Sequence, residues 1–456
     1  MVQIADYQGK SAVENVNHAI EAAEKSHEYH AGLSLTRERA LERAAKVDSG
    51  EITGRLAGVP FVAKDNFLAF GSPTTAASKF LETFEAPLQA TAIEKLEAEG
   101  AICIGKTNLD AFAHGGSTEN SAFGPTLNAK DKTRVAGGSS GGSAVATALE
   151  IVPFAIGTDT GGSIRQPASF NGVIGVKPTY GTVSRYGVVA MASSTDTIGC
   201  FTSNAEDAEL IMDIMAGRDE NDGTTLPDFF KPTEVKKSQK IGIIKEFMTD
   251  DVDVDVRTRV SEYVEKLKNA GHTVEEVSMP ILKYALAMYY IIVPAEISSN
   301  LARYDAVRYG KRASSNSLSE LYGKSRDEGF ITENKRRIMI GSYVLSSGYF
   351  DAFYLQAQKA RTLLIDEFNK LFESYDILVG PVSPTPAFKL GERTTDPVKM
   401  YLADIMTVPA SLAGLPAISV PAGDTGDGLP VGTQLIGQRR SDAQLLALAK
   451  SLEEAK

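Results

Sequence analysis

The sequence predicts an α/β fold, in which a central mixed β-sheet is covered by helices on both faces and a helical region lies over one side. Short apolar runs of strand length alternate with helical segments along the chain. Helix–glycine–strand units recur, and such units build mixed or mainly parallel sheets with helices on their faces. The stretch 281–372 has helical pattern almost throughout, which predicts a cap or insertion within a single domain of residues 1–456.

The N-terminal part supplies the first half of this pattern. Helical periodicity fills much of residues 11–48, and the apolar run Gly58–Lys64 has the length of a strand. A helix is predicted at Thr91–Gly100, where the glycine ends it, and a strand at Ile102–Gly105 follows directly.

The same unit recurs later in the chain. Within Val254–Val277, Gly271 ends a helix and the residues after it have strand pattern. Two more apolar strands are predicted at Ile377–Val379 and Ala417–Val420.

Composition is typical of a soluble globular protein, with 43% hydrophobic and 23% charged residues in 456. The longest apolar run, Ala285–Ala295, is interrupted by Pro294 and is shorter than the roughly 18 residues of a membrane span. No signal peptide is recognisable, so no membrane association is expected. Cys103 and Cys200 predict buried thiols rather than a disulfide framework, which favours a cytoplasmic location.

The net charge of −11 is a poor match for phosphate backbones. If the protein serves a nucleic-acid reaction, another chain is expected to make most of the contacts. The basic runs Lys236–Lys240 and Lys335–Arg337 are, by default, solvated surface.

The segment Gly115–Gly199 combines many Gly, Ser and Thr residues with strong apolar runs. GGSSGGS at Gly137–Ser143 precedes a helix of small residues, Ala144–Leu149, which is expected to be buried and to present its N-terminus to a site. A buried strand at Ile151–Gly157 leads into TDTGGSIRQP, where Ser163 follows two glycines. Glycines allow a sharp turn that exposes consecutive N–H groups, as an oxyanion hole requires.

Three other interpretations of the glycine-rich run fit less well. A flexible linker would not be flanked by buried strand and helix pattern. A Walker loop needs GxxxxGK[ST], and no lysine ends this run. Ser139 and Ser140 both satisfy the GxSxG of an α/β-hydrolase elbow, but no strand precedes them and His272 is the only histidine downstream. If serine chemistry occurs here, the base is expected not to be histidine.

Lysine is the remaining candidate base. Lys64 ends a buried strand pattern and is followed by Asp65 and Asn66. An unperturbed lysine has a pKa near ~10.4, so burial must lower that pKa by several units before lysine can act as a base near neutrality. A second serine can relay the proton, and Ser139 is the candidate bridge between Lys64 and the nucleophile Ser163.

These motifs resemble the amidase signature family. GGSSGGSAVATA followed by GTDTGGSIRQPASFNGVIGVKPTYG is long and specific, and the spacing of Lys64, Ser139 and Ser163 is similar to that of the family's Ser–Ser–Lys triad. The resemblance implies the amidase signature fold, acylation of Ser163, a bridging Ser139 with a cis peptide and Lys64 as the base. It also implies an oxyanion hole built from backbone N–H groups of Ser163 and the residues before it: Thr160, Gly161 and Gly162.

Within this family the chain is most similar, over nearly its whole length, to the A subunits of glutamyl-tRNA(Gln)/aspartyl-tRNA(Asn) amidotransferases. The blocks that carry the likeness are Lys177–Gly199, Pro294–Gly310, Ser325–Phe330, Lys335–Tyr354 and Leu412–Pro421. The likeness implies hydrolysis of glutamine, whose α-carboxylate meets Arg337 and whose α-amino group meets Asp404, with Tyr289 nearby. A fork-shaped guanidinium suits a carboxylate, although Arg337 and Asp404 could otherwise form ordinary salt bridges.

The same likeness implies the partners. Subunits B and C would complete a heterotrimer, in which B uses ATP and Mg²⁺ and makes most of the tRNA contacts, and C clamps the other two together. No cofactor or metal is expected on this chain. The alternatives are a stand-alone amidase acting on small or aryl amides, a non-catalytic scaffold, and an independent ATP-dependent ligase.

The chain departs from the family pattern outside the triad. Ala129 and Ala136 stand where proline is common, and Cys200 and Ser203 replace a common Pro and Arg. His114 stands where methionine is common, and it is expected to be a packing or capping residue.

Overall fold

A computed structural model describes residues 1–227, 229–394 and 396–454, and this part of the chain contains an eleven-stranded sheet. The strands are β1 (Gly32–Leu35), β2 (Pro60–Lys64), β3 (Ile102–Thr107), β4 (Phe154–Asp159), β5 (Ile174–Lys177), β6 (Thr197–Thr202), β7 (Lys240–Ile244), β8 (Thr273–Val277), β9 (Ile377–Pro381), β10 (Ala417–Asp424) and β11 (Pro430–Gly437). Their order across the sheet is β1-β3-β2-β4-β6-β5-β10-β11-β9-β7-β8.

The sheet is mixed, as predicted. Strand β2 is parallel to β3 and β4, and β7 is parallel to β8 and β9. The central run from β4 through β6, β5, β10 and β11 to β9 is antiparallel. Two parallel units are therefore joined by an antiparallel centre.

Helices cover both faces of the sheet. They are α1 (Ala12–Lys25), α2 (Arg37–Asp48), α3 (Thr91–Ala98), α4 (Gly141–Ala148), α5 (Arg165–Asn171), α6 (Ala205–Met215), α7 (Val254–Asn269), α8 (Ala285–Leu301), α9 (Leu318–Gly329), α10 (Thr332–Val344), α11 (Leu355–Phe372), α12 (Pro397–Leu402), α13 (Val408–Leu412) and α14 (Asp442–Glu454). Alternate residues of β2 face opposite layers. Phe61 and Ala63 join the core on the α3 and α6 side, whereas Val62 joins the core on the α1 and α4 side. Lys64, two residues after Val62, therefore shares the face on which α4 lies.

The helical region lies where the sequence predicts it. Between residues 280 and 372, all of which are described, the regular elements are helical, and α8 packs against both α10 and α11. By length and composition alone, Pro280–Leu301 could cross a membrane. Half of its most apolar window is buried in the fold.

The two predicted helix–glycine–strand units are confirmed. Helix α3 ends before Gly100 and α7 before Gly271, and both glycines have left-handed backbone, with φ of +85° and +91°.

Several boundaries predicted from the sequence are wrong. The strand predicted at Ile151–Gly157 begins only at Phe154, because Pro153 has no N–H to donate to the sheet. Helix α4 starts at Gly141 rather than Ala144, and a Cβ at its second residue, Gly142, would collide with the backbone of Asn108. The prediction that helices fill much of residues 11–48 is confirmed by α1 and α2, with the short strand β1 between them.

Candidate active site

Lys64 is the last residue of β2, and its side chain is fully buried. Its Nζ lies 2.8 Å from Ser139 Oγ, 2.8 Å from Ser140 Oγ and 2.9 Å from Thr158 Oγ1. The structure thus brings together Lys64 and Ser139, which are far apart in sequence, and adds the hydroxyl groups of Ser140 and Thr158, neither of which was predicted as a partner of Lys64.

The direction of one of these hydrogen bonds is fixed by its neighbours. Ser140 Oγ donates its proton to the carbonyl oxygen of Thr158 at 3.0 Å, so Lys64 must donate to Ser140. Thr158 Oγ1 also accepts from Asn66 Nδ2 at 3.1 Å. A neutral amine has two N–H bonds and one lone pair. If Lys64 donates to Ser140 and Thr158, its lone pair is directed at the Ser139 hydroxyl, as proton abstraction requires.

Burial lowers the pKa of Lys64 from its ordinary value of 10.5 to about 7. The negative charges of Asp110, Asp159 and Asp196 act in the opposite direction but do not cancel the effect of burial. A large fraction of Lys64 is therefore neutral near neutral pH.

The loop before α4 is held against Lys64 by buried polar contacts. The peptide bond between Gly138 and Ser139 is cis. Gly138 N donates to Gln166 Oε1 at 2.9 Å, and Ser139 O accepts from Asp110 N at 3.3 Å. A Cβ at Gly138 would overlap the Asp110 carboxylate, so only glycine fits there.

Ser163 lies in the turn that joins β4 to α5, and 8% of its surface is exposed. Its carbonyl oxygen accepts from Ser140 N at 3.1 Å, which ties this turn to the loop before α4. The backbone of Ser163 therefore lies next to Ser140, whose hydroxyl is hydrogen-bonded to Lys64.

Both glycines of the turn are required by close packing. Gly162 has φ +145°, and a Cβ there would collide with the Thr407 side chain. A Cβ at Gly161 would lie 2.5 Å from the hydroxyl of Tyr289. Tyr289, predicted as a substrate-binding residue, is thus placed against the predicted oxyanion turn.

Side chains anchor the turn at both ends. Thr160 Oγ1 donates to Asp196 Oδ1 at 2.7 Å, and Thr407 Oγ1 donates to Gly161 O at 2.6 Å. At the end of β4, Asp159 pairs with Arg165 through two hydrogen bonds of 2.9 and 3.0 Å. Burial alone would raise the pKa of Asp159, but Arg165, with smaller contributions from Lys177 and the Ile164 N–H group, outweighs burial and the pKa is lowered. Asp159 therefore stays ionised and holds the start of α5.

Arg337 is buried on α10, which corrects the default assignment of its basic run to the surface. Its Nε donates to Glu333 Oε1 at 2.8 Å, and Tyr401 Oη donates to the same oxygen at 3.0 Å. The rings of Tyr290 and Tyr401 lie 5.4 and 5.6 Å from the guanidinium carbon. These two rings stack on each other with their centroids 3.9 Å apart, so Arg337 lies beside the stacked pair and is held at one edge by the Glu333 carboxylate.

Asp404 lies near this group, with one carboxylate oxygen 3.5 Å from Tyr290 Oη. A Cβ on Gly116 would lie 3.5 Å from the other oxygen, so the loop that begins at Asp110 passes close to Asp404. Burial raises the pKa of Asp404 to about 7, although the positive charge of Arg337 opposes the rise.

A cavity of 260 Å³ opens beside Arg337, and the described residues that line it do not include Lys64, Ser139, Ser163, Tyr289 or Asp404. Its walls include Gly115, Ser117, Glu333, Arg337 and Tyr401. Larger cavities of 510 and 680 Å³ lie elsewhere, and none of the predicted site residues lines them. Among the described residues, no cluster of His, Cys, Asp or Glu is arranged to hold a metal ion.

Sequence reasoning missed Tyr290, Glu333 and Tyr401. Glu333 is four residues before Arg337 on one helix, a spacing that places the two side chains side by side. Tyr290 is the neighbour of the predicted Tyr289, and its hydroxyl, rather than that of Tyr289, contacts Asp404. No local pattern indicates Tyr401, because it reaches the site from a separate helix.

Comparisons with known proteins agree with this geometry. The Amidase family model matches residues 12–446. The A subunit of the glutamyl-tRNA(Gln) amidotransferase from Koribacter versatilis is 50% identical over 441 residues, which cover 94% of this chain and 91% of that one. Its counterpart from Nostoc punctiforme is 50% identical over 460 residues, with 98% and 95% covered. The crystal structure of the Thermotoga maritima counterpart superposes with a TM-score of 0.83 at 40% identity, covering 99% of this chain and 94% of that one.

Proposed function

The chain belongs to the amidase signature family, and from this premise we propose that Ser163, Ser139 and Lys64 hydrolyse the side-chain amide of glutamine for a tRNA-dependent amidotransferase. Its role as the amidase subunit of such an enzyme follows from its likeness to the A subunits over nearly their whole length. The observation that supports the assignment of residues most directly is the buried hydrogen bond of 2.8 Å between Lys64 and Ser139.

Acylation starts from neutral Lys64. As Ser163 Oγ attacks the amide carbon of glutamine, its proton passes to Ser139, and the Ser139 proton passes to Lys64. The negative charge that develops on the amide oxygen is stabilised by backbone N–H groups of the turn formed by Thr160, Gly161, Gly162 and Ser163. The proton then returns through Ser139 to the leaving nitrogen. Ammonia departs, and a γ-glutamyl ester remains on Ser163.

Deacylation uses the same residues in the same order. Water gives a proton to the Ser139–Lys64 pair as it attacks the ester carbon, and the proton is then returned to Ser163 Oγ as the ester bond breaks. The products of the two steps are glutamate and ammonia, and the three residues regain their starting protonation.

Recognition of the free amino acid falls to the cavity beside Arg337. The guanidinium binds the α-carboxylate, and the Asp404 carboxylate, with Tyr289 and Tyr290 beside it, receives the α-ammonium group. Glu333 and Tyr401 position Arg337 by the contacts described above. A substrate without both charges would leave either the Asp404 carboxylate or the edge of the Arg337 guanidinium away from Glu333 without its charged partner.

The ammonia is used by a partner. We propose that subunits B and C complete a heterotrimer, in which B holds ATP and Mg²⁺, contacts most of the tRNA and converts Glu-tRNA(Gln), Asp-tRNA(Asn) or both. The charge of −11 supports leaving tRNA contact to the partner. We place the complex in the cytoplasm, and we treat residues 1–456 as one domain with the helical region as an insertion.

Substrate discrimination tests this proposal against a stand-alone amidase. We expect the enzyme to prefer glutamine to both glutamine α-amide and a simple aryl amide, as measured by kcat/KM. Arg337→Lys keeps the positive charge but loses the two parallel N–H donors of the guanidinium. It should lower kcat/KM for glutamine by about 10-fold to 100-fold, because charge-assisted hydrogen bonds contribute ~1.5–3 kcal/mol. Its activity on the aryl amide should not change.

The control is Lys335→Ala, on the same helix, which removes only a surface ion pair with Asp327. It should leave all three kcat/KM values as they are. Equal use of aryl amide and glutamine, with no effect of Arg337→Lys, would favour the stand-alone amidase instead.

A further inference from the structure

Two fully buried polar residues near the cavity, His114 and Asn334, have no part in the proposed chemistry. Asn334 is on α10, three residues before Arg337, and therefore lies near it on the helix surface. His114 directly precedes Gly115, which lines the cavity. The pair thus connects the helix that carries Arg337 with the loop that forms another wall of the cavity.

The hydrogen bonds of Asn334 determine how His114 is protonated. Asn334 Nδ2 lies 2.8 Å from Ala111 O and 2.7 Å from His114 Nδ1. An amide nitrogen has two hydrogens, and the carbonyl takes one, so the second is donated to His114 Nδ1. His114 must then be neutral with its hydrogen on Nε2. Burial and the positive charge of Arg337 lower the pKa of His114 well below its ordinary value, which keeps Nδ1 free to accept.

The loop that these bonds hold has an unfavourable backbone. Phe112 and Ala113 are consecutive residues with φ of +53° and +64°, in the left-handed region that side chains other than glycine rarely adopt. Such conformations persist only where surrounding contacts enforce them. Asn334 bonds to the residues on both sides of this pair, Ala111 and His114. Helix α10 and the loop are thereby fixed to each other.

We propose that His114 and Asn334 form a clamp that holds α10 against the loop of residues 110–118 and so sets the position of Arg337 for the substrate carboxylate. His114 is a positioning residue in this arrangement, and it acts through its Nδ1 acceptor. The proposal rests on the proposed function, because it takes the role of Arg337 from there.

Two substitutions, His114→Asn and His114→Gln, show which of the two ring nitrogen atoms of His114 is required. Asparagine places an amide oxygen close to the position of Nδ1, whereas glutamine extends to the position of Nε2. His114→Leu, which removes the acceptor, should raise KM for glutamine about 2-fold to 10-fold, the equivalent of one hydrogen bond, and change kcat less than about 2-fold. His114→Asn should keep the wild-type KM, and His114→Gln should behave like His114→Leu.

Two further measurements complete the test: a comparison of glutamine with glutamine α-amide, and a double variant of His114 and Asn334. His114→Leu should lower kcat/KM for glutamine but not for glutamine α-amide, because only glutamine has the carboxylate that Arg337 binds. Asn334→Leu should raise KM in the same way, and the double variant should be no worse than Asn334→Leu alone. Thermal unfolding of each variant shows that the measured chain is folded, and the Asn–Gln comparison remains informative if His114→Leu does not fold.

Two results would overturn the clamp. If His114→Gln retained the wild-type KM and His114→Asn did not, the group that matters would be Nε2, and His114 would act directly. If KM were unchanged in every His114 variant while Arg337→Lys raised it, the clamp would be wrong and the proposed function would stand. An unchanged KM in Arg337→Lys would instead remove the premise that Arg337 binds the carboxylate.

Discussion

At the scale of single residues, the site depends on keeping one lysine uncharged inside the protein. Among the described residues, Lys64 has three hydroxyl partners and no carboxylate in direct contact, so burial is not offset by a salt bridge. Buried Lys106 shows the contrast, since it pairs with Asp65 at 2.7 Å. The hydroxyl partners of Lys64 therefore distinguish this predicted base from Lys106, whose partner is a carboxylate.

The pH dependence of kcat follows from this arrangement. Protonated Lys64 cannot accept the Ser139 proton, so kcat should be low below about pH 7, rise through the Lys64 pKa of about 7 and level off above it. Asp404, whose pKa is also raised to about 7, must be ionised to bind the α-ammonium group, so kcat/KM should fall more steeply than kcat on the acid side. Steady-state kinetics between pH 5 and 9 at roughly constant ionic strength would measure both profiles.

The variant Ser140→Ala tests the hydrogen bond that Lys64 Nζ donates to Ser140 Oγ. The hydrogen bond from protonated Lys64 to Ser140 is charge-assisted and stronger than the one from the neutral amine, so losing this acceptor disfavours the charged form more. The midpoint of the kcat profile should move to lower pH, and the plateau should fall by roughly 2-fold to 12-fold, corresponding to ~0.5–1.5 kcal/mol. A midpoint that moved to higher pH would show that Ser140 does not accept from Lys64.

At the scale of elements, the site forms where the ends of strands meet the starts of helices. Lys64 ends β2, the Ser163 turn joins β4 to α5, and the Ser139 loop precedes α4. Because β2 and β4 are parallel neighbours, their carboxyl ends lie at the same edge of the sheet. This pairing brings Lys64 close to the turn that carries Ser163.

The backbone of that turn can be tested at Gly162. With φ of +145° and no room for a Cβ beside Thr407, Gly162→Ala should lower the free energy of unfolding by about 1–3 kcal/mol and reduce kcat strongly. The matched control is Gly323→Ala in α9, where a Cβ would meet no atom of the described residues within 4 Å. The control should be as stable as the parent or slightly more so, since alanine favours a helix. Chemical denaturation and glutaminase assays measure both, and unchanged stability and kcat in Gly162→Ala would contradict the described turn.

At the scale of the whole molecule, the sequence predicts the catalytic centre better than the substrate pocket. GGSSGGS and TDTGGS are contiguous segments, and their glycines indicate a tightly turned backbone from the sequence alone. The surroundings of Arg337 come from α8, α10, α12 and the loop after Asp110, and only tertiary packing brings these together. Strand β6 was missed for a similar reason, because its sequence TIGCFT becomes a buried strand only between β4 and β5.

The central claim is that Ser163 carries out glutamine hydrolysis through Lys64 and Ser139. Its most direct test is ammonia release from glutamine by Ser163→Ala, compared with Ser169→Ala, a buried serine on the adjoining helix α5 that bonds to Gly432 N instead. We expect Ser163→Ala to lose at least about 10³-fold in kcat, in the range known for removal of a serine nucleophile, and Ser169→Ala to keep nearly all of its activity. Full ammonia release by folded Ser163→Ala would contradict the account.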